Sequence, residues 1–201
     1  MDLHEQQKWP TAPEDDAFTE RDWQRLLAHL GEDPARQGLR ETPARVDKAW
    51  RQWTSGYGQD PAAILKVFDD GAERYEELIV VRNIPVYSHC EHHLAPFFGT
   101  ATVGYVPDGR IVGLSKLTRL VDCFARRLQV QERLTTQVAD ALMMHLRPLS
   151  VGVVVRCRHM CMESRGIRTT GEETVTSALL GGIRADAGLR AEFLALARAD
   201  R

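Results

Sequence analysis

Two short stretches of this chain, residues 88–93 and 157–161, concentrate side chains that bind metals. Together they hold four of the seven histidines and three of the four cysteines in 201 residues. Thiolate and imidazole are the usual zinc ligands in proteins. Because the two stretches are far apart in sequence, the fold must bring them together. A site assembled in this way, in a chain of enzyme size, favours a catalytic metal over a structural one.

The spacing within each stretch indicates which side chains can share a site. In a helical turn, Cys90 and His93 at positions i and i+3 lie on one face, whereas His92 points elsewhere. The apolar residues 151–155 predict a buried strand just before the second stretch. Continued extension beyond that strand would place three alternating side chains on one face: Cys157, His159 and Cys161.

The preferred metal ligands are therefore Cys90, His93 and Cys161. Three protein ligands leave a fourth position for water, as in catalytic zinc sites. His92 and His159 would then serve beside the metal, in orienting ligands or in proton transfer.

Three other interpretations of the same residues stay open. A closed structural zinc site would take Cys157 or His159 as its fourth ligand. A disulfide is the second, although four cysteines in a chain without a secretory signal do not favour it. The third has no metal, with buried thiols and hydrogen-bonded histidines.

Composition is typical of a soluble globular protein. Apolar residues make up 43% of the chain and charged residues 27%, and the net charge is −2. This balance gives no case for binding nucleic acid or an anionic membrane. No apolar run is long enough to span a bilayer, and the first residues lack the pattern of a signal peptide. We expect a cytoplasmic protein with reduced thiols.

The first third of the chain predicts an arm and a helical region. Residues 1–16 are polar and contain two prolines, so we expect a mobile arm. Residues 17–70 form an N-terminal helical region, in which Thr19 caps a first helix. Thr42 caps the second helix, and Pro43 suits its first turn.

Residues 71–201 alternate between strands and helices, and we expect them to form the catalytic domain. The predicted strands are residues 78–81, 97–106, 111–113, 151–158 and 174–180, with the third returning as a short partner of the second. The predicted helices are residues 115–128, capped by Ser115, and residues 131–146 and 189–198. This order predicts an α+β fold with an antiparallel sheet.

Several polar groups could bind a substrate. The helix predicted to start at Ser115 offers free N–H groups to an anion, and Lys116 and Arg119 share a face of it. Arg165 and Arg168 add two cations after the second cysteine/histidine stretch. These charges alone are a weak signal, because most such groups simply face solvent. The chain has no phosphate loop of the kind that binds nucleotides in ATPases.

Gln131 and Glu132 open the next helix. A carboxylate near the start of a helix usually has no further role than a favourable interaction with the helix dipole. The functional alternative is a base reader, because a carboxylate can accept the two parallel N–H donors of guanine. The residue types do not decide between these two roles.

Four sequence motifs resemble the GTP cyclohydrolase I family, in order and in separation. They are Cys90-Glu91-His92-His93, Gly113-Leu114-Ser115-Lys116, Gln129-Val130-Gln131-Glu132-Arg133-Leu134, and His159-Met160-Cys161-Met162 with Arg165-Gly166. The resemblance extends over residues 17 to 200. It implies a tunnelling fold, in which a four-stranded antiparallel sheet packs on two long antiparallel helices, here with an N-terminal helical extension.

The resemblance also implies a zinc-dependent enzyme. Its substrate would be GTP, and its products 7,8-dihydroneopterin triphosphate and formate, at the entry to folate or other pterin synthesis. It implies a homodecamer of two stacked pentamers, with active sites between subunits.

The resemblance assigns roles by position. The metal ligands are Cys90, His93 and Cys161, and the catalytic residues are His92, His159 and Ser115. The substrate-binding residues are Glu91, Lys116, Arg119, Gln131, Glu132 and Arg165. His89 and Cys157 depart from many family members, and Cys157 puts in doubt which thiol binds the metal.

Two other functions compete with this one. The first is a zinc-stabilised oligomer that binds a purine nucleotide without turnover, although mere binding would not need both His92 and His159. The second is an enzyme of the same fold that acts on another purine or pterin, or stops at a formamide intermediate.

Overall fold

The computed structural model describes residues 18–68 and 75–198. The predicted arm, residues 1–16, lies outside the described residues. No helix within those two ranges has the length and apolar character needed to cross a bilayer.

Four short helical elements form the N-terminal region. They are α1 (Glu20–His29), α2 (Thr42–Trp53), a 3-10 helix (Ser55–Gly58) and α3 (Pro61–Ile64). The predicted cap of α1 is confirmed, because the backbone N–H and the hydroxyl of Thr19 both donate to Asp22 Oδ2 at 2.9 Å. The predicted cap of α2 is wrong by one residue. Glu41 before it already has helical backbone angles, so Thr42 is the first residue of the helix, not its cap.

In the part of the chain that the structure describes, seven strands and the remaining helices follow in chain order. The strands are β1 (Val67–Phe68), β2 (Ile79–Cys90), β3 (Pro96–Val106), β4 (Ile111–Val112), β5 (Leu128–Gln129), β6 (Ser150–His159) and β7 (Thr174–Gly181). The helices are α4 (Leu114–Ala125), α5 (Gln131–His145), α6 (Met160–Glu163), α7 (Gly182–Ala185) and α8 (Ala187–Arg198). The predicted α+β class is confirmed.

The main sheet has the strand order β5-β2-β3-β6-β7. The four long strands pair antiparallel, and β5 adds a short parallel pair at His89 and Cys90. The expectation of a four-stranded sheet therefore missed this fifth strand. β5 has only two residues, Leu128 and Gln129, which is too short for an alternating pattern to appear in the sequence.

Two predicted strands differ from the structure. Strand β2 runs to Cys90, well beyond the predicted end at residue 81, because its second half alternates regularly. Its buried positions are Ile84, Val86 and Ser88, and its exposed positions are Asn83, Pro85 and Tyr87. Residues 111–112 were expected to pair with the strand at 97–106, but β4 pairs with β1 instead.

Helices α4 and α5 cover one face of the sheet and form the main core with it. Their fully buried side chains include Leu117, Leu120 and Val121 of α4 and Leu134, Val138 and Leu142 of α5. The predicted cap Ser115 lies inside the first turn of α4, because the helix begins at Leu114 after Gly113. The predicted helix also included Leu128, which belongs to β5.

A second, smaller core closes the other face of the sheet. Phe193 of α8 is fully buried and packs with Val154 and Ile183. A Cβ placed on Gly152 would lie 2.6 Å from the Phe193 ring, so the glycine makes room for the aromatic side chain. The sheet is thus covered on both faces, and its β2 and β6 ends carry the cysteine and histidine stretches.

Candidate active site

The turn after β2 places the first two predicted ligands. The carbonyl of Cys90 accepts from the N–H of His93 at 3.3 Å and from that of Leu94 at 2.8 Å, which is the predicted helical turn. Strand β5 holds this turn from the other side, because the Glu91 N–H donates to the Gln129 carbonyl at 3.0 Å. Cys90 and His93 therefore face the same way from a hydrogen-bonded frame.

The backbone around the third predicted ligand, Cys161, is not extended as expected. Strand β6 ends at His159, and the chain turns into α6, so Cys161 lies on a helical turn and the predicted alternation to this residue is wrong. Even so, the ligand atoms of Cys90, His93 and Cys161 all lie within 4.8 Å of one another. The short helix thus brings Cys161 to the end of β2.

The three side chains fit a tetrahedral metal ion. Cys90 Sγ lies 3.9 Å from His93 Nδ1. Ligand distances of about 2.0–2.3 Å in a tetrahedral zinc site put neighbouring ligand atoms roughly 3.5–3.8 Å apart. The group contains three members within the described residues, the number typical of a catalytic zinc site.

Electrostatics also favour a cation at this position. Burial, and then the neighbouring Cys90 thiol, raise the pKa of Cys161. Two thiolates this close repel each other, so both become deprotonated only when a positive charge lies between them. The guanidinium of Arg165 supplies part of this positive charge from beside the group, because its Nη1 lies 3.2 Å from His93 Nε2 and its charge opposes the rise in the pKa of Cys161.

Cys157 is separate from this group. It is buried on β6 between Gly99 of β3 and Thr174 of β7. Burial, with a smaller contribution from Glu173, raises its pKa to about 12, so it is a neutral thiol at physiological pH. All four cysteines are free, which speaks against the disulfide interpretation.

The two predicted catalytic histidines have different environments. His159 is half-buried, stacks on Phe97 with ring centroids 4.7 Å apart, and lies 2.8 Å by Nε2 from Gln131 Oε1. Burial lowers the pKa of His159, although the charge of Glu132 opposes this. His92 is exposed, with Nε2 3.8 Å from Glu91 Oε1.

Glu91, predicted to bind substrate, is held in an ion pair. Arg133 approaches it with two nitrogens, at 2.5 Å and 3.0 Å from the carboxylate oxygens. The hydrogen bond from Arg133 lowers the pKa of Glu91. The pair lines a cavity of about 350 Å³ together with Tyr57, Arg127, Leu128, Gln129 and Gln137. Sequence reasoning assigned Arg133 no role, because an exposed arginine within a motif gives no signal of its partner.

One predicted catalytic residue, Ser115, and two predicted substrate-binding residues, Lys116 and Arg119, are distant from the metal group in the same chain. Ser115, Lys116 and Arg119 lie at the start of α4, just after β4, whose Val112 N–H donates to the Tyr105 hydroxyl at 3.2 Å. Tyr105 and Pro96 are nine residues, or about 30 Å, apart along β3, and Pro96 is at the metal end, so the start of α4 lies toward the other end of the sheet. The other predicted residues, Glu132, Gln131 and Arg165, are at the metal end.

Comparison with known proteins identifies relatives over nearly the whole chain. The profile of the family described as GTP cyclohydrolase I matches residues 19–198. A protein of Janthinobacterium sp. (strain Marseille) named GTP cyclohydrolase 1 is 77% identical over 189 residues, 94% of each chain. One of the same name from Nitrosospira multiformis is 73% identical over 183 residues, 91% of this chain and 96% of that one.

A solved structure shows a more remote likeness. It is described as the crystal structure of the archaeosine synthase QueF-Like in the apo form, with a TM-score of 0.42 and 20% identity. The match covers 52% of this chain and 94% of that one.

Proposed function

The chain belongs to the GTP cyclohydrolase I family and is an enzyme of that class, and we propose that its Cys90, His93 and Cys161 group is the zinc centre of the active site. The reaction is the hydrolytic opening of the guanine imidazole ring of GTP, which gives 7,8-dihydroneopterin triphosphate and formate. The observation that carries the zinc assignment is that the three ligand atoms lie within 4.8 Å of one another. One of the three ligands, Cys161, follows the half-buried His159 by two residues.

Zinc bound there would lower the pKa of a water molecule toward neutral pH. The water would then supply the nucleophile for C8 of guanine, which is a weak electrophile. The residues of the chain have the remaining tasks. His159 and His92 exchange protons with the ring nitrogens and the leaving fragments, because an imidazole can both donate and accept a proton. The exposed carboxylate of Glu132 accepts the two N–H donors on the far edge of guanine.

The cations hold the other end of the substrate. Arg165, Lys116 and Arg119 carry the positive charges that a triphosphate needs, and Ser115 adds a hydroxyl and the first-turn N–H groups of α4. Contacts this far from C8 add nothing to the chemical step directly. Their binding energy positions the base, so that C8 meets its nucleophile in a reactive geometry.

The separation of the cations from the metal group supports a site shared between subunits. In one chain the start of α4 and the metal group lie toward opposite ends of the sheet. Another subunit that supplies its own α4 to the metal end of this one would complete the site. Of the described strands, β7 pairs on one side only, and β2 pairs with β5 only at His89 and Cys90. These free edges can join subunits by strand pairing.

On this basis the proposal extends to the tunnelling fold and a homodecamer of two pentamers, as the family resemblance implies. The free thiols fit a reducing compartment such as the cytoplasm. The product would supply folate or another pterin pathway.

The test is a product assay on purified protein of known zinc content. Incubation with GTP should yield formate and dihydroneopterin triphosphate in equal amounts, the latter measured as a fluorescent pterin after oxidation. Removal of zinc with a chelator should abolish both products, and added zinc should restore them. Formamide product without formate would mean that ring opening stops early. Bound GTP with no product would favour a binding module.

A further inference from the structure

The side chain of Gln131 is buried and its contacts are internal. Only 1% of the residue is exposed, at the first position of α5. Its Nε2 lies 3.0 Å from the Val155 carbonyl, 2.9 Å from the Thr174 carbonyl and 3.1 Å from Thr176 Oγ1. Two N–H groups face three acceptors, so no donor is left for guanine.

The surrounding hydroxyls fix which way the amide points. The Thr135 hydroxyl donates its one proton to the main-chain carbonyl of Gln131, at 2.8 Å. Thr176 Oγ1, 2.6 Å from Thr135 Oγ1, must therefore donate to Thr135 and accept from Gln131. The nitrogen of the amide thus lies on the side of β6 and β7, and the oxygen Oε1 on the side of His159.

This orientation determines the proton on His159. An amide oxygen only accepts, so the 2.8 Å contact requires a proton on His159 Nε2. In the neutral ring, the lone pair is then on Nδ1. Phe97, fully buried and stacked on the ring with an interplanar angle of 10°, holds the plane in which these two nitrogens point.

We propose that Gln131 is a positioning residue that holds His159 as its Nε2–H tautomer, so that Nδ1 is the atom that exchanges protons in the reaction. This role rests on the proposed function, in which His159 acts as the acid or base. It differs from the guanine contact that the family resemblance assigns to Gln131, because the side chain is already used. The partners of the amide lie on β6 and β7, whereas Gln131 itself begins α5, so the tautomer is built into the packing of the sheet against the helix.

The first measurement reads the tautomer without any turnover. Zinc-loaded protein labelled with ¹⁵N in its histidine rings is sedimented and studied by solid-state NMR, and the His159 signals are assigned by their loss in His159→Gln. We expect the Nε2 signal of His159 to be that of a protonated nitrogen and the Nδ1 signal that of an unprotonated one. The reverse pattern in the wild-type protein would overturn the proposal, and this measurement needs no variant of Gln131.

The second measurement compares two amide-to-thioether variants in the same helix. Gln131→Met keeps the volume but removes the acceptor for His159. Gln137→Met is the matched control, because its amide contacts Gln129 and not His159. We expect Gln131→Met to lower kcat about ten- to a hundred-fold, the usual cost of removing a group that orients a site residue, with zinc content and KM for GTP nearly unchanged. Its His159 signals should shift toward a mixture of tautomers, and Gln137→Met should leave those signals unchanged.

The outcomes separate this inference from the proposed function. A raised KM for GTP with kcat retained in Gln131→Met would overturn the inference and indicate that Gln131 contacts guanine. An unchanged tautomer with unchanged kcat would also overturn the inference while the cyclohydrolase assignment stands. Absence of GTP turnover in the wild-type protein would contradict the proposed function alone, and the NMR pattern would still decide the contact.

Discussion

The four cysteines of this chain fall into two chemical classes. Cys90 and Cys161 lie with His93 in a group that a cation would stabilise. Cys123 and Cys157 are buried, and burial is the main cause that raises the pKa of each, for Cys157 to about 12. A thiol that is fully buried and has a raised pKa stays protonated at neutral pH and is shielded from reagents. The sequence window that holds Cys157 and Cys161 therefore contains one inert thiol and one candidate ligand.

Removal of the metal should expose two thiols and no more. In the zinc-loaded native protein at pH 7.5 we expect almost no reaction with a thiol reagent, because two cysteines bind zinc and two are buried. A chelator should raise the count to about two of the four cysteines. The measurement is the absorbance of the released thiolate, with denatured protein as the control for all four. Reaction of the two ligand thiols before chelation would contradict the metal assignment.

A pair of serine variants tests the same division by metal content. Cys161→Ser should lose tightly bound zinc, because a hydroxyl is a poor ligand beside one thiolate and one imidazole. Cys157→Ser should keep stoichiometric zinc, since its side chain is not in the group. Metal analysis after gel filtration measures both. Full zinc in Cys161→Ser together with loss in Cys157→Ser would reverse the two roles.

A catalytic variant tests His159 itself. His159→Ala should keep zinc and bind GTP, but form the pterin product about 10²–10⁴-fold more slowly, the usual contribution of a general acid or base. Single-turnover assays and equilibrium binding separate the two effects. Turnover near that of the wild-type protein would remove His159 from the catalytic residues.

At the scale of elements, local patterns were predictable and long-range pairings were not. The cap of α1 and the turn from Cys90 to His93 depend on neighbours in sequence, and both are as expected. The partners of β4 and β5, and the three acceptors of Gln131, lie elsewhere in the chain. The Gln131 acceptors are 24, 43 and 45 residues away, so no motif around Gln131 indicates them. The alternation that pointed to Cys161 assumes an extended backbone, whereas this residue lies in a helical turn.

The 3-10 helix shows how the N-terminal region supports the site. The Gly56 N–H donates to the Arg126 carbonyl at 3.0 Å, and the Tyr57 hydroxyl accepts from Leu128 of β5 at 3.1 Å. Strand β5 in turn pairs with Cys90. The end of α4 and the frame of the metal turn are therefore held by a four-residue helix, Ser55–Gly58.

Two glycines of that helix make a matched test. A Cβ on Gly56 would lie 2.1 Å from the Cys123 carbonyl oxygen, whereas a Cβ on Gly58 would meet nothing within 4 Å. Because the obstacle for Gly56→Ala is backbone, we expect a loss of roughly 1–3 kcal/mol in the free energy of unfolding. Gly58→Ala should be close to neutral. Thermal unfolding measures both, and equal melting temperatures would show that the helix does not pack this closely in solution.

At the scale of the whole molecule, the proposed site residues of one chain form two groups, or half-sites, toward opposite ends of its sheet. The metal group, His159 and Glu132 lie where β2 and β6 end, and Lys116 and Arg119 lie at the start of α4. The twelve residues of α4 span about 18 Å, which returns the chain to the metal end only at its last turn. A single substrate can use both half-sites only if they come from different chains.

Complementation between inactive variants decides this arrangement. His159→Ala damages only the metal half, and the double variant Lys116→Ala with Arg119→Ala damages only the cation half, so each alone should be nearly inactive. If the site is shared around a ring, random mixing by co-expression should leave about a quarter of the sites with two intact halves and restore about a quarter of wild-type activity. Co-expression of His159→Ala with Cys161→Ser is the control, because both damage the same half and should restore nothing. No recovery in the first mixture, with both variants present in one oligomer, would mean that each chain builds its site alone.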